Sequence, residues 1–408
     1  MSSDRPSGSL LRARAGHDHS RVTFVELFFD LVFVFAVTQL SHALAEHLTP
    51  LGALQAVLLL VALWWAWIDT SWVTNWLDPA KLPVRLMLFV LMLVGLVLSA
   101  SIPKAFESRA LAFAFAYAFM QVGRSLFMLW ALKGHSPGNY RNFQRIGAWH
   151  ALAAALWIAG AFADAGTRLW LWALALLLET AAPSLGFWTP GLGRSTTEDW
   201  DVEGSHMAER CGLFIIIALG ESVLVTGARF ANLAWTPVTI AAFAVSFIGS
   251  VAMWWIYFNV GAEQASRRIA ASRDPGRLAR FAYTYLHMLL VAGIILVAVG
   301  DELILSHPLG HTDAKVAAVL LGGPALYLIG NLLFKRATAD RPALSHMVGL
   351  ALLAVLAPLA LYVQPLTFSA ATTAVLVLVA VWETVSLRSV AGGAPSTPRP
   401  APDETLLR

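Results

Sequence analysis

Long apolar runs separated by short polar segments make up almost the whole chain. Each run is about 20 residues long, the length that an α-helix needs to cross the apolar core of a bilayer. Pro183 and Pro190 make the end of the sixth run the hardest to place. We predict about twelve spans, at 22–46, 51–76, 84–102, 108–132, 145–163, 167–187, 208–228, 235–260, 281–304, 315–334, 343–363 and 367–387. The pattern indicates an all-α, polytopic integral membrane protein.

Composition agrees with a membrane protein and narrows the classes of partner. The 408 residues are 58% hydrophobic and 13% charged, which is too apolar for a soluble domain of this length. The net charge of +3 is carried by basic residues scattered between the spans, without a basic stripe, so we expect no nucleic-acid partner. The single cysteine, Cys211, excludes an intramolecular disulfide and a cysteine-built metal site. We expect no cofactor and no bound metal, and a lipid bilayer as the surroundings.

Lysine and arginine concentrate in every second loop, as they do on the cytoplasmic side of a membrane. With the N-terminus placed inside, the loops near Arg145 and Arg280 are basic, whereas those near Lys104 and His311 hold few basic residues. This bias predicts an even number of spans and two cytoplasmic termini.

Short sequences in the two halves of the chain match each other. LWWAWIDTS in the second span corresponds to MWWIYFNVG in the eighth, and FFDLVFVFA in the first corresponds to LGESVLVTG in the seventh. A rival alignment places Glu26 on Glu209, and it fits the helix starts better but the tryptophan pairs worse. The preferred alignment pairs four polar positions: Asp30 with Glu221, Asp69 with Asn259, Arg124 with Asn331, and Glu179 with Glu383.

These matches predict two parallel six-helix repeats, because six helices return each repeat to the side where it began. We expect the first helices of the two repeats to line the interface between them. Gly220, beside Glu221, would let two helices pack closely there. The predicted segments are a disordered cytoplasmic N-terminus at 1–20, a first repeat at 21–187, a cytoplasmic linker at 188–207, a second repeat at 208–388 and a disordered cytoplasmic tail at 389–408.

Ionisable residues inside the spans are the candidates for function. Glu26 and Asp30 are one helical turn apart and share a face. An acid at the middle of a membrane helix costs about 2.5 to 3.5 kcal/mol, so such a residue usually faces protein or water. Asp30 and Arg124 have similar depths, about 13 Å from the cytoplasmic boundary at 1.5 Å per residue, so we expect them to form an ion pair.

The same depth counts bring further polar side chains into one layer. The layer as a whole is acidic, which favours a monovalent cation or a proton over an anion. An alternative stays open, in which these residues only bridge helices as buried polar contacts. The predicted layer consists of Asp30, Asp69, Arg124, Glu179, Glu221, Asn259, Asn331 and Glu383.

Hydrolase motifs are incomplete in this chain. Gly220, Glu221 and Ser222 fall short of the Gly-x-Ser-x-Gly of serine hydrolases, and the chain contains no His-Glu-x-x-His. We therefore expect no enzyme activity. The isolated histidines His150 and His346 are predicted to be packing residues.

The sequences VELFFDLVFVFAVTQL at 25–40 and ERCGLFIIIALGESVL at 209–224 strongly resemble the low temperature requirement protein A family of bacterial membrane proteins. The resemblance extends from about residue 20 to residue 388 and rests on six motif residues: Glu26, Phe28, Phe29, Glu209, Arg210 and Gly220. It implies a multi-pass protein of the bacterial inner membrane, associated by name with growth in the cold, and it supplies no catalytic residues.

A weaker similarity is to the lysosomal potassium channels that are built from two six-helix repeats. The first helices of those channels carry a Phe-Ser-Asp signature, which Phe28, Phe29 and Asp30 match with Phe29 at the serine position. The second half, with Leu219, Gly220 and Glu221 at the corresponding positions, departs further. Shared architecture does not establish a shared ion.

Two functions from different classes follow from the sequence. In the first, the protein moves a cation or a proton through or beside the acidic layer, as a monomer or a homodimer. In the second, it is a membrane scaffold or sensory protein that supports cold adaptation without transport.

Overall fold

The structure, a computed structural model, describes residues 9–12, 22–195, 203–259, 268–269, 274–338 and 343–392. Long helices follow one another through these residues, and the described part of the chain contains no β-strand beyond two isolated bridges. The helices are α1 (Phe24–Glu46), α2 (Pro50–Trp76), α3 (Leu82–Lys104), α4 (Ala110–Leu132), α5 (Pro137–Phe162), α6 (Ala165–Ala181), α7 (Gly204–Ala231), α8 (Pro237–Phe258), α9 (Gly276–Ser306), α10 (Ala314–Thr338), α11 (Leu344–Tyr362) and α12 (Pro365–Gly392).

The predicted polytopic all-α class is confirmed. Eleven of the described helices are long and apolar enough to cross a membrane. The remaining predicted span, 167–187, corresponds to α6, which has 17 residues and is therefore about 26 Å long. Arg168 near its start donates to the carbonyl of Phe106 in the α3–α4 turn, and Pro183 just after its end accepts from Arg280 near the start of α9. Because those partners lie at opposite faces of the bundle, α6 also runs from one face to the other.

Proline and a capping residue define where several helices begin. Thr49 caps α2 by accepting a hydrogen bond from the Gly52 amide, and Thr236 caps α8 by accepting one from the Thr239 amide. In both cases the next residue is proline, whose missing N–H is not needed in the first turn. Asp164 caps α6, and hydrogen bonds from Thr167 lower the pKa of the Asp164 carboxyl.

The six helices of each half pack in the same order. In each half the first helix contacts the second and third, the third contacts the fourth, the fourth contacts the fifth, and the sixth contacts the fifth and second. The two halves meet mainly where α1 packs on α7 and α9, and where α2 packs on α7. The predicted boundary between the halves falls between α6 and α7.

Residues 9–12 belong to the stretch for which the sequence predicts disorder, and they contact the end of α2. The Arg12 amide donates to the Trp76 carbonyl at 2.8 Å, and the Asp78 amide donates to the Leu10 carbonyl at 2.9 Å. Most of the stretch 1–20 lies outside the described residues, as do residues 196–202 of the predicted linker and residues 393–408 of the predicted tail.

Glycines allow α9 and α10 to pack closely, and this contact is the most extensive between any two described helices. A Cβ added at Gly293 would lie 2.6 Å from the backbone nitrogen of Tyr327, and one added at Gly323 would lie 2.8 Å from that of Val297. Gly220 differs, because a Cβ there would meet no atom within 4 Å. The expectation that Gly220 permits close helix packing is therefore wrong.

We expect Gly293→Ala to destabilise the protein, because the new methyl group meets backbone atoms that cannot rotate away. Overpacking of this kind typically costs about 1 to 3 kcal/mol. The matched change Gly220→Ala introduces the same methyl group into open space and should leave stability unchanged. Thermal unfolding of the purified variants in detergent measures both effects, and equal melting temperatures would contradict the close α9–α10 contact.

Candidate functional site

Asp30 and Arg210 form a fully buried ion pair where the two halves meet. Arg210 Nη2 on α7 lies 2.8 Å from Asp30 Oδ1 on α1, and Trp67 Nε1 on α2 donates to the same oxygen at 2.8 Å. The guanidinium carbon of Arg210 lies 5.6 Å from the centre of the Trp67 ring, and Arg210 Nη2 also donates to Ser71 Oγ at 3.1 Å. We call these four residues the central cluster.

The predicted ion pair between Asp30 and Arg124 is wrong. Arg124 lies on α4 and pairs with Asp69, while Asp30 points toward α7 and pairs with Arg210. Similar depth in the membrane does not bring Asp30 and Arg124 together, because α2 lies between them. Trp67 of α2 contacts Asp30, and Thr70 of α2 contacts Arg124. Among the described residues, Asp30 Oδ2 and Arg210 Nη1 have no hydrogen-bond partner.

Glu26 joins three segments of the chain at the end of the central cluster. Its carboxylate accepts from the backbone amide of Thr23 at 2.8 Å, which closes the first turn of α1. The same carboxylate accepts from Arg12 at 3.1 Å and lies 2.9 Å from His206 Nε2 on α7. Sequence patterns did not indicate these partners, because Arg12 lies in the stretch predicted to be disordered and His206 lies 180 residues after Glu26.

A second buried group, which we call the lateral cluster, lies within the first half. Its members come from α2, α4, α5 and α6: Asp69, Tyr117, Gln121, Arg124, His150 and Glu179. Asp69 Oδ2 receives Arg124 Nη2 at 3.2 Å, Gln121 Nε2 at 3.2 Å and His150 Nε2 at 3.3 Å. The structure thus brings together Asp69, Arg124 and Glu179 of the predicted layer.

Gln121 connects the two acids of the lateral cluster. It lies in a π-helical turn of α4, Phe119–Gly123, and its side-chain nitrogen also reaches Glu179 Oε1 at 3.4 Å. Its side-chain oxygen accepts from Arg124. π-Helical turns of this kind frequently occur at functional sites. Tyr117 donates to Glu179 Oε2 at 2.8 Å, so both oxygens of this buried glutamate are occupied.

A cavity reaches the lateral cluster from the face where α2 ends and where α5 and α9 begin. It holds about 800 Å³ of empty space when its open mouth is included. Asp69 lies about 10 Å inside the end of α2 at 1.5 Å per residue. The lining residues are Trp65, Asp69, Trp72, Val73, Trp76, Arg124, Ser125, Phe143, Ile146, Trp149, His150, Glu179, Ala182, Pro183, Phe187, Gly276, Arg280 and Thr284.

Asp69 is the charged group of the lateral cluster that the cavity exposes. Its side chain is 25% exposed, compared with 2% for that of Arg124. All three contacts of Asp69 go to Oδ2, and within the described part of the chain Oδ1 accepts no hydrogen bond. A carboxylate oxygen without a partner, deep in a bundle and open to a cavity, can accept a cation or a proton.

Glu221 lies apart from both clusters, near the other face of the bundle. It accepts a hydrogen bond from Thr38, which is two turns beyond Asp30 on α1. The prediction that Asp30 and Glu221 occupy one level is therefore wrong. Glu221 lies 183 residues after the Thr38 that it contacts, and this is the separation of the rival alignment that places Glu26 on Glu209. The expected contact between α1 and α7 is nevertheless present.

The remaining members of the predicted layer are in the second half and do not meet the lateral cluster. Asn259 is exposed and donates to Thr384 Oγ1 at 3.0 Å, and the buried Asn331 donates to a carbonyl of its own helix, that of Tyr327, at 3.1 Å. Glu383 accepts from Lys335 Nζ, which lies 2.6 Å from each of its two oxygens. The sequence did not suggest Lys335, because the predicted span 315–334 ends just before it and places it in a loop.

The other motif residues have different surroundings. Phe29 is fully buried against Phe33, whereas Phe28 is 52% exposed on the outer surface of the bundle. Glu209 is exposed and accepts a hydrogen bond from the Val22 amide at 3.2 Å. His150 contacts Asp69, and His346 lies 3.2 Å from Glu383 Oε1, so neither histidine packs only against apolar groups. No group of three or more metal-binding side chains occurs among the described residues.

Comparison with known proteins gives two matches. The family described as bacterial low temperature requirement A protein (LtrA) matches residues 21–381. A curated relative from Rhizobium meliloti (strain 1021), named "Uncharacterized protein RA0937", is 41% identical over 372 residues, which cover 91% of each chain. No solved structure matches the chain.

Proposed function

Because the chain belongs to the bacterial low temperature requirement A protein family, we propose that it is a transport protein of the bacterial inner membrane, one that moves a cation or a proton. Neither the family description nor the name of the curated relative states an activity. The proposal therefore rests on the site. Its single carrying observation is Asp69, whose partly exposed side chain lines a cavity within the membrane-spanning bundle and whose Oδ1 accepts no hydrogen bond from the described residues.

The lateral cluster is suited to hold a positive charge. Three contacts hold Asp69 Oδ2 in place, while Oδ1 accepts no hydrogen bond from the described residues and the side chain lines the cavity. Glu179 and His150 lie next to Asp69 and offer further groups that can exchange a proton. Arg124 compensates one acid only, and its donors are directed at protein oxygens instead of the cavity.

We also propose that the halves are two parallel repeats, related by an axis along the membrane normal. The shared order of helix contacts in the two halves supports this arrangement. In transporters built from repeats, access alternates when one unit rocks against the other. The α1–α7 contact would be the surface on which such rocking occurs here.

A second candidate is a scaffold or sensory protein that supports cold adaptation without transport. The observation that favours it is the internal pairing of buried acids such as Asp30, Glu179 and Glu383, which is also what polar contacts between packed helices require.

A measurement of ion flux distinguishes a transport protein from a scaffold or sensory protein. The full chain, purified and reconstituted into liposomes, should carry K+, Na+ or protons faster than liposomes without protein. The fluxes are read with ion-selective and pH-sensitive dyes under an imposed gradient. Equal rates in both preparations for all three ions would reject transport of these ions.

Reporter fusions can test on which side of the membrane each loop lies. Reporter fusions that end at Lys133 or Asp274 should be active in the cytoplasm, because these positions lie between helices at the basic face. Fusions that end at Glu107 or His311 should be active outside, because these positions lie in the turns at the opposite face. Cytoplasmic activity at all four positions would contradict the proposed topology.

A further inference from the structure

We propose that the cavity above Asp69 is a binding site for a small organic ammonium ion, a quaternary or protonated amine. The inference rests on the proposed cation transport and names the class of its substrate. It follows from three features of the cavity lining: its aromatic side chains, the carboxylate of Asp69 and the small number of side-chain oxygens without a hydrogen bond.

Aromatic rings form a large part of the wall. Six of the lining side chains are aromatic: Trp65, Trp72, Trp76, Phe143, Trp149 and Phe187. The faces of such rings attract cations, most strongly those of tryptophan, and aromatic cages are the usual recognition element for quaternary ammonium groups. A water-filled route for a bare ion has no need of such a wall.

The rings are held in place by specific contacts. Trp72 Nε1 donates to Thr284 Oγ1 at 3.1 Å, and Trp149 Nε1 donates to the Trp188 carbonyl at 3.1 Å. Trp76 and Phe143 meet edge to face with ring centres 5.5 Å apart. A preformed wall binds a ligand without the entropic cost of ordering its side chains.

The charge that the cavity exposes is negative. Asp69 presents a free carboxylate oxygen, whereas Arg124 is almost fully buried and donates to the Ala66 carbonyl, Thr70 and Asp69. Arg280 at the wall donates to the Pro183 carbonyl. The donors of both arginines thus point at protein oxygens, whereas the Asp69 carboxylate keeps an oxygen that can attract a cation.

Apart from those of Asp69, the side-chain oxygens of the lining already take part in hydrogen bonds within the protein, which disfavours a dehydrated alkali ion. Such an ion needs a ring of oxygens to replace its hydration shell. Both oxygens of Glu179 accept from Tyr117 and Gln121, and the Thr284 hydroxyl accepts from Trp72. One carboxylate oxygen facing aromatic rings matches an alkylated ammonium group, whose methyl groups contact the rings while its charge faces the acid.

Calorimetric titration of the full chain in lipid nanodiscs tests the site. Tetramethylammonium chloride is the probe, and tert-butanol, which has a similar shape and no charge, is its control. We expect saturable heat for tetramethylammonium and none for tert-butanol. Asp69→Asn should weaken binding about tenfold or more, and Glu302→Gln should not change it, although the Glu302 side chain is similarly exposed, at 23%, near the opposite face.

A second pair of variants keeps the test decisive if Asp69→Asn fails to fold. Trp65→Leu removes an aromatic wall residue and should weaken binding about tenfold, whereas Trp65→Phe should restore most of it. Trp130→Leu is the matched control, because Trp130 is exposed on α4 and does not line the cavity. Equal binding of the two probes, or equal affinity in Trp65→Leu and wild type, would overturn the inference.

The experiments can reject cation transport and ammonium binding independently of each other. Saturable tetramethylammonium binding without any ion or ammonium flux in liposomes would support the site and reject transport. Flux of K+, Na+ or protons without tetramethylammonium binding would support transport and reject this class of ligand.

Discussion

Arg210→Met is expected to destabilise the protein by about 3 to 5 kcal/mol, the usual cost of removing one partner from a buried ion pair. Asp30 has no exposed surface, and its other hydrogen bond in the central cluster comes from the neutral indole of Trp67. Methionine would fill the space of the arginine stem but leave the carboxylate without a cation. We expect a strongly lowered melting temperature in detergent and much less protein in the membrane fraction.

Two further variants show whether the cause is charge or volume. Adding Asp30→Asn to Arg210→Met removes the unpaired charge and should restore most of the lost stability. Arg229→Met, on the same helix, is the matched control, because Arg229 is exposed and its side chain donates to the neutral Ser306 hydroxyl, at 3.0 Å, so its loss should cost little. A stable Arg210→Met variant would show that Asp30 does not need its cation.

Asp69→Asn is expected to reduce the flux of the transported cation to the level of liposomes without protein. The amide oxygen can still accept hydrogen bonds from Arg124 and Gln121, and the acid Glu179 remains beside Gln121 in the lateral cluster, so the protein should still accumulate. The substitution removes the negative charge that lines the cavity and pairs with Arg124. Dye-based flux measurements at equal protein content in the vesicles read this loss directly.

Glu302→Gln serves as the control for that experiment, because it neutralises an acid that pairs with His42 away from the cavity. Its flux should match that of the wild type. Normal flux in Asp69→Asn, with normal protein content, would reject Asp69 as the site of the transported charge.

The sequence predicted helix number and the first-half site better than it predicted ion-pair partners. Apolar length alone defines a span, and Asp69, Arg124 and Glu179 meet because their helices are neighbours and their depths agree. Depth does not say which way a side chain points around its helix. For that reason depth alone predicts an ion pair between Asp30 and Arg124, although the actual partner of Asp30 is Arg210, one of the motif residues.

The position of Glu221 shows a second limit of sequence patterns. The two alignments of the halves differ by about two helical turns. After a shift of two turns, nearly the same side of a helix faces the neighbouring helices. Apolar patterns therefore fit both alignments, and the tryptophan pairs alone favoured the one that pairs Asp30 with Glu221. The contact between Thr38 and Glu221 shows that these two acids differ in position along the helix axis, which apolar patterns do not report.

The ion pair between Asp30 and Arg210 also constrains how the chain is made. Asp69 and Arg124 leave the ribosome within the same half, so the lateral cluster can be neutralised as soon as α4 is inserted. Asp30 is synthesised 180 residues before Arg210, and Glu26 is equally far ahead of His206. Until α7 emerges, α1 must remain in the translocon or the bilayer with an acid that lacks its cation. The first half is therefore an incomplete folding intermediate, and completion of the second half is the event that fixes α1 in place.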